Sequence, residues 1–139
     1  RGGNLSEAVV YAHVVKAQET KTYEISYYFF YPYNGGLWVE SIGWQTAHEG
    51  DWEHISLLLR EVSDGALVID KINYVEHGNP HWYLEGEYML QDGRPIVYSA
   101  FHSHASYPTG GIKFRPWPKG NNHGYNVTYA KNIQATCRT

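Results

Sequence analysis

The stretch DWEHISLLLR, residues 51–60, limits the fold more than any other part of the chain, because its residues alternate as in a strand that faces a core on one side. Successive side chains of a strand point to opposite faces. The row predicted to face the core is Asp51, Glu53, Ile55, Leu57 and Leu59, and the opposite row is Trp52, His54, Ser56, Leu58 and Arg60. Two carboxylates thus begin a row that continues as isoleucine and leucine. Burying unpaired charges is costly, so we expect a compensating group at this strand end.

Strand-like runs rich in β-branched and aromatic residues recur along the chain, with turn sequences such as NGG at 34–36 and SDG at 63–65 between them. Helix signals are confined to residues 6–12 and 129–135, and residues 113–126 are typical of a loop. The predicted strands are residues 8–17, 21–33, 37–44, 51–60, 66–78, 81–86 and 94–108. We therefore predict one domain, residues 1–139, that is all-β: an antiparallel β-sandwich with long loops and at most one or two short helices.

Composition and charge exclude several classes of protein. The net charge is -3 and no basic run exists, which argues against a nucleic-acid partner. No apolar run is long enough to cross a bilayer, so no transmembrane segment is predicted. Sequons at Asn4 and Asn126 fit a secreted protein, and the start RGGNLSEA resembles neither a signal peptide nor an initiator methionine. We expect an extracellular chain that was processed or excised from a longer one, with Cys137 either as a tail thiol or in a bond to something outside this chain.

Histidines concentrate near the predicted strand ends, where the loops of a sandwich gather. His48 precedes the Glu49-Gly50 bend that leads into the carboxylate strand, and His102 and His104 lie in the sequence AFHSHASYP. If the strand continues through that sequence, both of these histidines face one side. A metal ion at Asp51 and Glu53 would compensate both charges, but arginine, lysine or backbone N–H groups would also do so.

The aromatic run YYFFYPY, residues 27–33, has two interpretations. It is typical of a strand buried on both faces, although tyrosines are also enriched at membrane interfaces. We favour the buried strand. The better candidates for exposed rings that stack on sugars or reach lipid headgroups lie beside glycine or proline turns: Trp38, Trp44, Trp82 and Trp117.

The series YYFFYPYNGG, HEGDWEHISLLL, YVEHGNPHWY and GRPIVYSAFHSHASYP resembles the Vps62 family in order and separation, over about residues 11–111. By this resemblance the chain stops before the family domain usually ends, so a C-terminal truncation is expected. The core H-x-x-D-W-E is also similar, more distantly, to the necrosis- and ethylene-inducing peptide 1-like cytolysins, whose heptapeptide is GHRHDWE. That second resemblance implies a secreted protein with a divalent-cation site.

Carried over from the cytolysins, the resemblance implies a cation shell of Glu40, His48, Asp51 and Glu53. Glu40 stands where that family has an aspartate, Ala47 and Gly50 depart from the heptapeptide, and His104 corresponds to a later family histidine. Three carboxylates and one imidazole suit Ca²⁺ or Mg²⁺ best, with Mn²⁺ or Zn²⁺ as less favoured occupants. The residues expected to contact the bound ligand are His104, His102, His54, Trp44 and Trp82.

Three classes of function follow. The favoured one is a secreted, metal-dependent binding module of the cytolysin or toxin type that recognises a glycan or a lipid headgroup. The alternative is a metal-dependent hydrolase with His104 as general base. A further alternative, suggested by the name of the Vps62 family, is a trafficking or interaction domain with a structural cation. We see no serine or cysteine nucleophile motif, and we favour binding over catalysis.

Overall fold

The computed structural model describes residues 7–17, 19–35, 37–39, 43–45, 47–76, 79–116 and 125–132. For residues 37–39, 43–45, 79, 113–116 and 125–132 it describes the backbone alone. The strands are β1 (Val10–Ala17), β2 (Thr22–Asn34), β3 (Leu37–Val39), β4 (Gly43–Gln45), β5 (His48–Glu61), β6 (Leu67–Glu76), β7 (Asn79–Tyr83), β8 (Leu90–Gln91), β9 (Arg94–Pro95), β10 (Tyr98–Ala100), β11 (Ser106–Tyr107), β12 (Gly111–Pro116) and β13 (Tyr125–Asn132).

Two antiparallel sheets contain most of these strands. The larger sheet has the order β1-β2-β5-β6-β7, the smaller has the order β11-β10-β13-β12, and β3-β4 and β8-β9 form two separate hairpins. The predicted all-β, antiparallel fold is confirmed. Both helix candidates are wrong within the described residues, because β1 occupies the end of the first and β13 runs to Asn132 in the second. No helix in the described ranges has the length and apolar character that a membrane span requires.

Strand β5 lies at the centre of the larger sheet, and its alternation is as predicted. Ile55, Leu57 and Leu59 are buried on the inner face, while Trp52 and Arg60 are exposed on the outer face. The inner row packs with Ile72 and Tyr74 of β6 in the main hydrophobic core. Partly buried residues of β2, β6 and β7 and of the segments before β8 and β10 complete that core: Tyr23, Ile25, Tyr27, Phe29, Ile69, Tyr83, Tyr88 and Val97.

The smaller sheet meets the inner face of the larger one through β10 and β11. Strand β11 packs against β5 and β6. The Tyr74 hydroxyl, from β6, donates a hydrogen bond to the carbonyl oxygen of Ile96, 3.0 Å away, just before β10. Ala100, Ala105 and Tyr107 form a second, small hydrophobic core around β10 and β11. This packing brings the turn between β10 and β11 to the beginning of β5.

Several predicted boundaries are wrong. Residues 94–108 do not form one strand but β9, β10 and β11, because irregular residues 96–97 and the turn at residues 101–105 interrupt them. Residues 37–44 form most of the hairpin β3-β4, in which Trp38 pairs with Trp44 in the register. Residues 113–126, predicted as a loop, include most of β12 and the first residues of β13. Prolines and glycines in the middle of that segment obscured the two strands that flank it.

The prediction that residues 27–33 are buried on both faces is also wrong. Their inner face packs on the core, but Phe30 on the outer face is 47% exposed and Tyr33 is 57% exposed. Phe30 lies against Trp52, with 4.9 Å between ring centroids. The smaller sheet contacts the larger one through β11, which packs against β5 and β6, while Phe30 and Trp52 on the outer face are exposed.

Candidate metal centre

The two carboxylates that begin the inner row of β5 are both buried. Asp51 is 9% exposed and Glu53 is 8% exposed. In the register with β2, Asp51 pairs with Tyr31 and Glu53 pairs with Phe29. Because both side chains occupy the same face two residues apart, their charges lie close together in a poorly solvated place.

The pKa of Glu53 is strongly raised by its surroundings in this pair. Burial, and next the charge of Asp51, raise the pKa of the Glu53 carboxyl from 4.5 to about 8. Near pH 7 the cation-free protein therefore keeps a proton on Glu53. A bound cation would replace that proton and compensate both carboxylates.

Two side chains hold the Asp51 carboxylate in place. The amide nitrogen Nδ2 of Asn34, at the end of β2, donates a hydrogen bond to Oδ2 of Asp51 over 3.2 Å. The ring nitrogen Nδ1 of His104 lies 3.0 Å from the same oxygen. Both described contacts are made by Oδ2. The carboxylate is thus oriented through one oxygen, and Oδ1 is the oxygen that would bind a cation.

His104 reaches Asp51 from the turn between β10 and β11. Its backbone N–H donates to the carbonyl oxygen of Ala100 over 3.0 Å, and its own carbonyl accepts from the Ser99 hydroxyl over 3.2 Å. The φ angle of His104 is +54°, in the left-handed region that side chains rarely adopt. Strained backbone of this kind persists where the surrounding contacts fix it, and often at functional sites.

Tyr31 covers the other side of the His104 ring. The two rings are stacked, with centroids 4.0 Å apart and an interplanar angle of 1°. The Tyr31 hydroxyl donates to the hydroxyl oxygen of Ser99 over 3.3 Å, which links β2 to β10. Burial is the main cause that raises the pKa of Tyr31 above its ordinary value. The imidazole is therefore fixed by a carboxylate at its edge and an aromatic ring on its face.

The expectation that His102 and His104 share one face of a strand is wrong, because they lie in a tight turn. His102 also has a positive φ, +72°, so strand alternation does not apply there. The carbonyl oxygen of His102 accepts a hydrogen bond from the N–H of Gly35 over 3.0 Å. A Cβ added to Gly35 would meet the His102 ring. This contact anchors the histidine turn to the end of β2, where Asn34 contacts Asp51.

Replacing Gly35 with alanine should destabilise the protein by about 1–3 kcal/mol, because the new methyl group would overlap the His102 imidazole. Urea unfolding of G35A measures this cost. The matched control is the double variant G35A/H102A, in which the ring is removed and the extra cost of the methyl group should largely disappear. An equal cost of G35A with and without the ring would contradict the contact.

The other predicted cation ligands are placed differently. His48 is exposed, and its Nδ1 lies 3.0 Å from the carbonyl oxygen of Gly50 rather than beside Asp51. Glu40 lies outside the described residues. Within the described ranges, no group of three or more His, Cys, Asp or Glu side chains is arranged to hold a metal. Asp51 and Glu53 are the part of the predicted shell that the structure brings together.

Two predicted ligand-contacting residues, His54 and Trp82, do not lie beside Asp51. His54 follows Glu53 on the outer face of the sheet, where its ring stacks on Tyr28 at 5.2 Å, and burial lowers its pKa. Trp82 is on β7, paired with Asn73 and under the ammonium group of Lys71, which is 4.9 Å from the ring centroid. The backbone of Trp44 is in β4, and its side chain lies outside the description.

Sequence reasoning missed Asn34, Tyr31 and Ser99. Local sequence alone predicts a turn at Asn34 and a core position for Tyr31. Tyr31 pairs with Asp51 in the β2-β5 register. The proximity of Tyr31 to Asp51 can be predicted only when both strands are identified and their register is known.

The fold and the site define an all-β domain with a buried carboxylate pair and a histidine fixed beside it. The chain belongs to the family of vacuolar protein sorting-associated protein 62, whose family model matches residues 1–125. No curated protein and no solved structure matches the chain. The similarity to the cytolysins is not among these findings.

Proposed function

We propose that this protein is a divalent-cation-dependent binding module that recognises a glycan or a lipid headgroup at Asp51 and Glu53. The observation that carries the proposal is the burial of two adjacent carboxylates, one of which has a pKa of about 8. A pair of this kind is costly without a counter-charge, and no lysine or arginine is described in an ion pair with either member. In this proposal a divalent cation provides that counter-charge.

The donor set favours a hard cation. Carboxylate oxygens are the ligands that Ca²⁺ and Mg²⁺ prefer, and Mn²⁺ shares this preference. Zn²⁺ would require more nitrogen ligands, but Nδ1 of His104 contacts Asp51 and His54 lies on the other face. Asp51 and Glu53 would hold the cation, with Glu40 as a further candidate from the resemblance. His104 and Asn34 would orient Asp51 from the outer shell.

The proposed ligand follows from what a partly coordinated cation binds. Adjacent hydroxyl oxygens of a sugar and phosphate oxygens of a headgroup are both hard oxygen ligands, and a cation held by few protein ligands leaves positions for them. Exposed aromatic residues such as Tyr33, near the beginning of β5, would add contact area. A toxin-like role and an extracellular location belong to this proposal, and the cytolysin resemblance supports them.

A hydrolase is the second candidate, and the contact between His104 and Asp51 favours it. With Nδ1 donating to Oδ2 of Asp51, a neutral His104 has its lone pair on Nε2, as a general base requires. A cation in this site would supply polarisation of a substrate oxygen and a more acidic bound water. The family name suggests a third role, in vacuolar protein sorting, in which the cation would be structural.

A glycan and lipid array, probed with and without EDTA, tests the proposal. We expect retention on at least one class of ligand that EDTA abolishes and that added Ca²⁺ or Mg²⁺ restores. The variant E53Q, which removes one member of the buried pair, should lose this retention, and the control variant E49Q, which removes a neighbouring exposed carboxylate, should keep it. Retention that is indifferent to EDTA would contradict the proposal, as would loss of retention in E49Q alone.

Cation affinity should fall as the pH decreases below about 8, because the Glu53 carboxyl must lose its proton before it can bind. Each pH unit below that value should lower the apparent affinity by up to about tenfold. Calorimetry in two buffers with different ionisation enthalpies measures both the affinity and the proton released. An affinity that is constant between about pH 6 and pH 8, with no proton release, would contradict the role of Glu53.

The same pKa predicts how the cation-free protein responds to pH. The folded state holds a proton on Glu53 that the unfolded state releases above its ordinary pKa of 4.5, so stability should decrease as the pH rises from there to about 8. The expected slope is at most about 1.4 kcal/mol per pH unit. Urea unfolding with chelator measures it. The variant E53Q should lose this slope, and a wild-type slope that persists in E53Q would assign it elsewhere.

A further inference from the structure

Strand β1 is an edge of the larger sheet. Its eight residues pair with β2 from Val10–Phe29 to Ala17–Thr22, and β1 ends the strand order of that sheet. From its second residue to its last, every side chain of β1 is exposed. An edge of this length presents a row of backbone N–H and C=O groups with which another extended segment can pair.

The features that usually protect an edge are few in β1. Its sequence is VYAHVVKA, with neither proline nor glycine and with Lys16 as its one lysine or arginine. Apolar side chains are exposed on both of its faces: Tyr11 by 54%, Val14 by 58% and Val15 by 49%. The opposite edge, β7, is shorter, with five residues, and contains Pro80, which has no N–H to offer. The two edges of one sheet therefore differ in how open they are to pairing.

We propose that β1 pairs antiparallel with β1 of a second copy of this chain, centred on His13, to form a continuous ten-stranded sheet. A two-fold axis perpendicular to the sheet keeps each face on its own side, so residues of like parity oppose each other. Tyr11 then faces Val15 on the outer side, and Ala12 faces Val14 on the inner side. A pair of an aromatic and a β-branched residue is a favourable cross-strand pair.

Charge also favours a second copy in this orientation. Lys16 falls opposite Val10, so the two lysines of the pair lie at opposite ends of the contact, about 20 Å apart for six residues of strand. Lys16 already has a partner in its own chain, since its ammonium group is 5.2 Å from the centroid of the Tyr23 ring.

The outer face continues across the proposed junction. The rings of Tyr11 and Trp52 are 5.5 Å apart, and Trp52 in turn contacts Phe30. These three exposed rings form a stripe that runs from β5 to the open edge. In the pair, the stripe of one copy would meet Val15 of the other, which would cover part of the Tyr11 ring. The inference does not depend on the proposed cation site.

Sedimentation equilibrium of the 139-residue chain tests the proposal by mass. We expect a species of twice 15.9 kDa whose fraction increases with concentration. The variant V14K/V15K should lower the association constant at least tenfold, because it places four lysines in the contact. The matched control L67K/I112K makes the same substitution at two other exposed apolar strand positions and should still dimerise.

Crosslinking tests the register. In a C137S background, which removes the one native cysteine, H13C should be joined across the two-fold axis by a short bismaleimide, whereas L67C should not. Circular dichroism of each variant checks that the β structure is retained. A wild-type chain that stays monomeric would overturn the proposal. So would a dimer that V14K/V15K leaves intact, or one that L67C crosslinks as well as H13C does.

Discussion

Replacing Asp51 with asparagine should lower the affinity for a divalent cation by at least tenfold, and replacing Glu53 with glutamine should do the same. Each change removes one charged oxygen ligand from a small set. In the D51N variant the acceptor of the Asn34 and His104 hydrogen bonds also loses its charge. These hydrogen bonds would then hold the side chain at position 51 less firmly. Calorimetric titration with Ca²⁺ and with Mg²⁺ measures both effects.

The two variants should differ in stability, which separates a ligand role from general damage to the fold. Glutamine at position 53 removes a buried ionisable group, so E53Q should be at least as stable as the wild type above about pH 8 in the presence of chelator. D51N leaves Asn34 and His104 with a weaker acceptor and should be less stable than the wild type. Unchanged cation affinity in both variants would show that the shell is wrongly assigned.

Replacing His104 with alanine should give one of two large and different results, according to what the site does. If the site binds, loss of the buried polar contact should weaken ligand affinity by about 1–3 kcal/mol and leave cation uptake nearly intact. If the site is hydrolytic, turnover should fall by roughly 10²–10⁴-fold while substrate binding persists. Array retention, cation calorimetry and a hydrolysis assay on the retained ligand distinguish the two.

The control for His104 is H54A, which removes a histidine from the opposite face of the same sheet. H54A should leave both ligand binding and any turnover close to the wild-type values. Equal losses in H54A and H104A would mean that neither reports on the site at Asp51. A variant Y31F, which keeps the stacked ring but loses the hydroxyl bond to Ser99, should reproduce only a small part of the H104A effect.

The central strand of the fold was predictable because its information is local. The alternation of residues 51–60 correctly predicts the buried row, including the two carboxylates, but Ser56 of the opposite row is also buried, against Ser26 of β2. The outer face of the aromatic run was not predictable in the same way. Whether Phe30 is covered depends on where the smaller sheet packs, which no local pattern within β2 encodes.

The position of His104 shows the same limit from the other side. The sequence predicts that His104 lies near the cation site, but it places His102 and His104 on a strand. Both histidines lie instead in a turn with two positive φ angles, and His104 contacts Asp51 from that turn. Asn34 and Tyr31 escaped notice because their roles arise from the β2-β5 register. The roles assigned to Glu40 and His48 still rest on the cytolysin resemblance.

The most direct test of the proposed site is elemental analysis of the protein purified without chelator, beside the double variant D51N/E53Q treated identically. We predict about one equivalent of Ca²⁺ or Mg²⁺ in the wild-type protein, or uptake of one equivalent on titration, and neither in the double variant. A wild-type protein that neither carries nor takes up a divalent cation, or a double variant that binds it equally well, would contradict the assignment of Asp51 and Glu53 as a cation site.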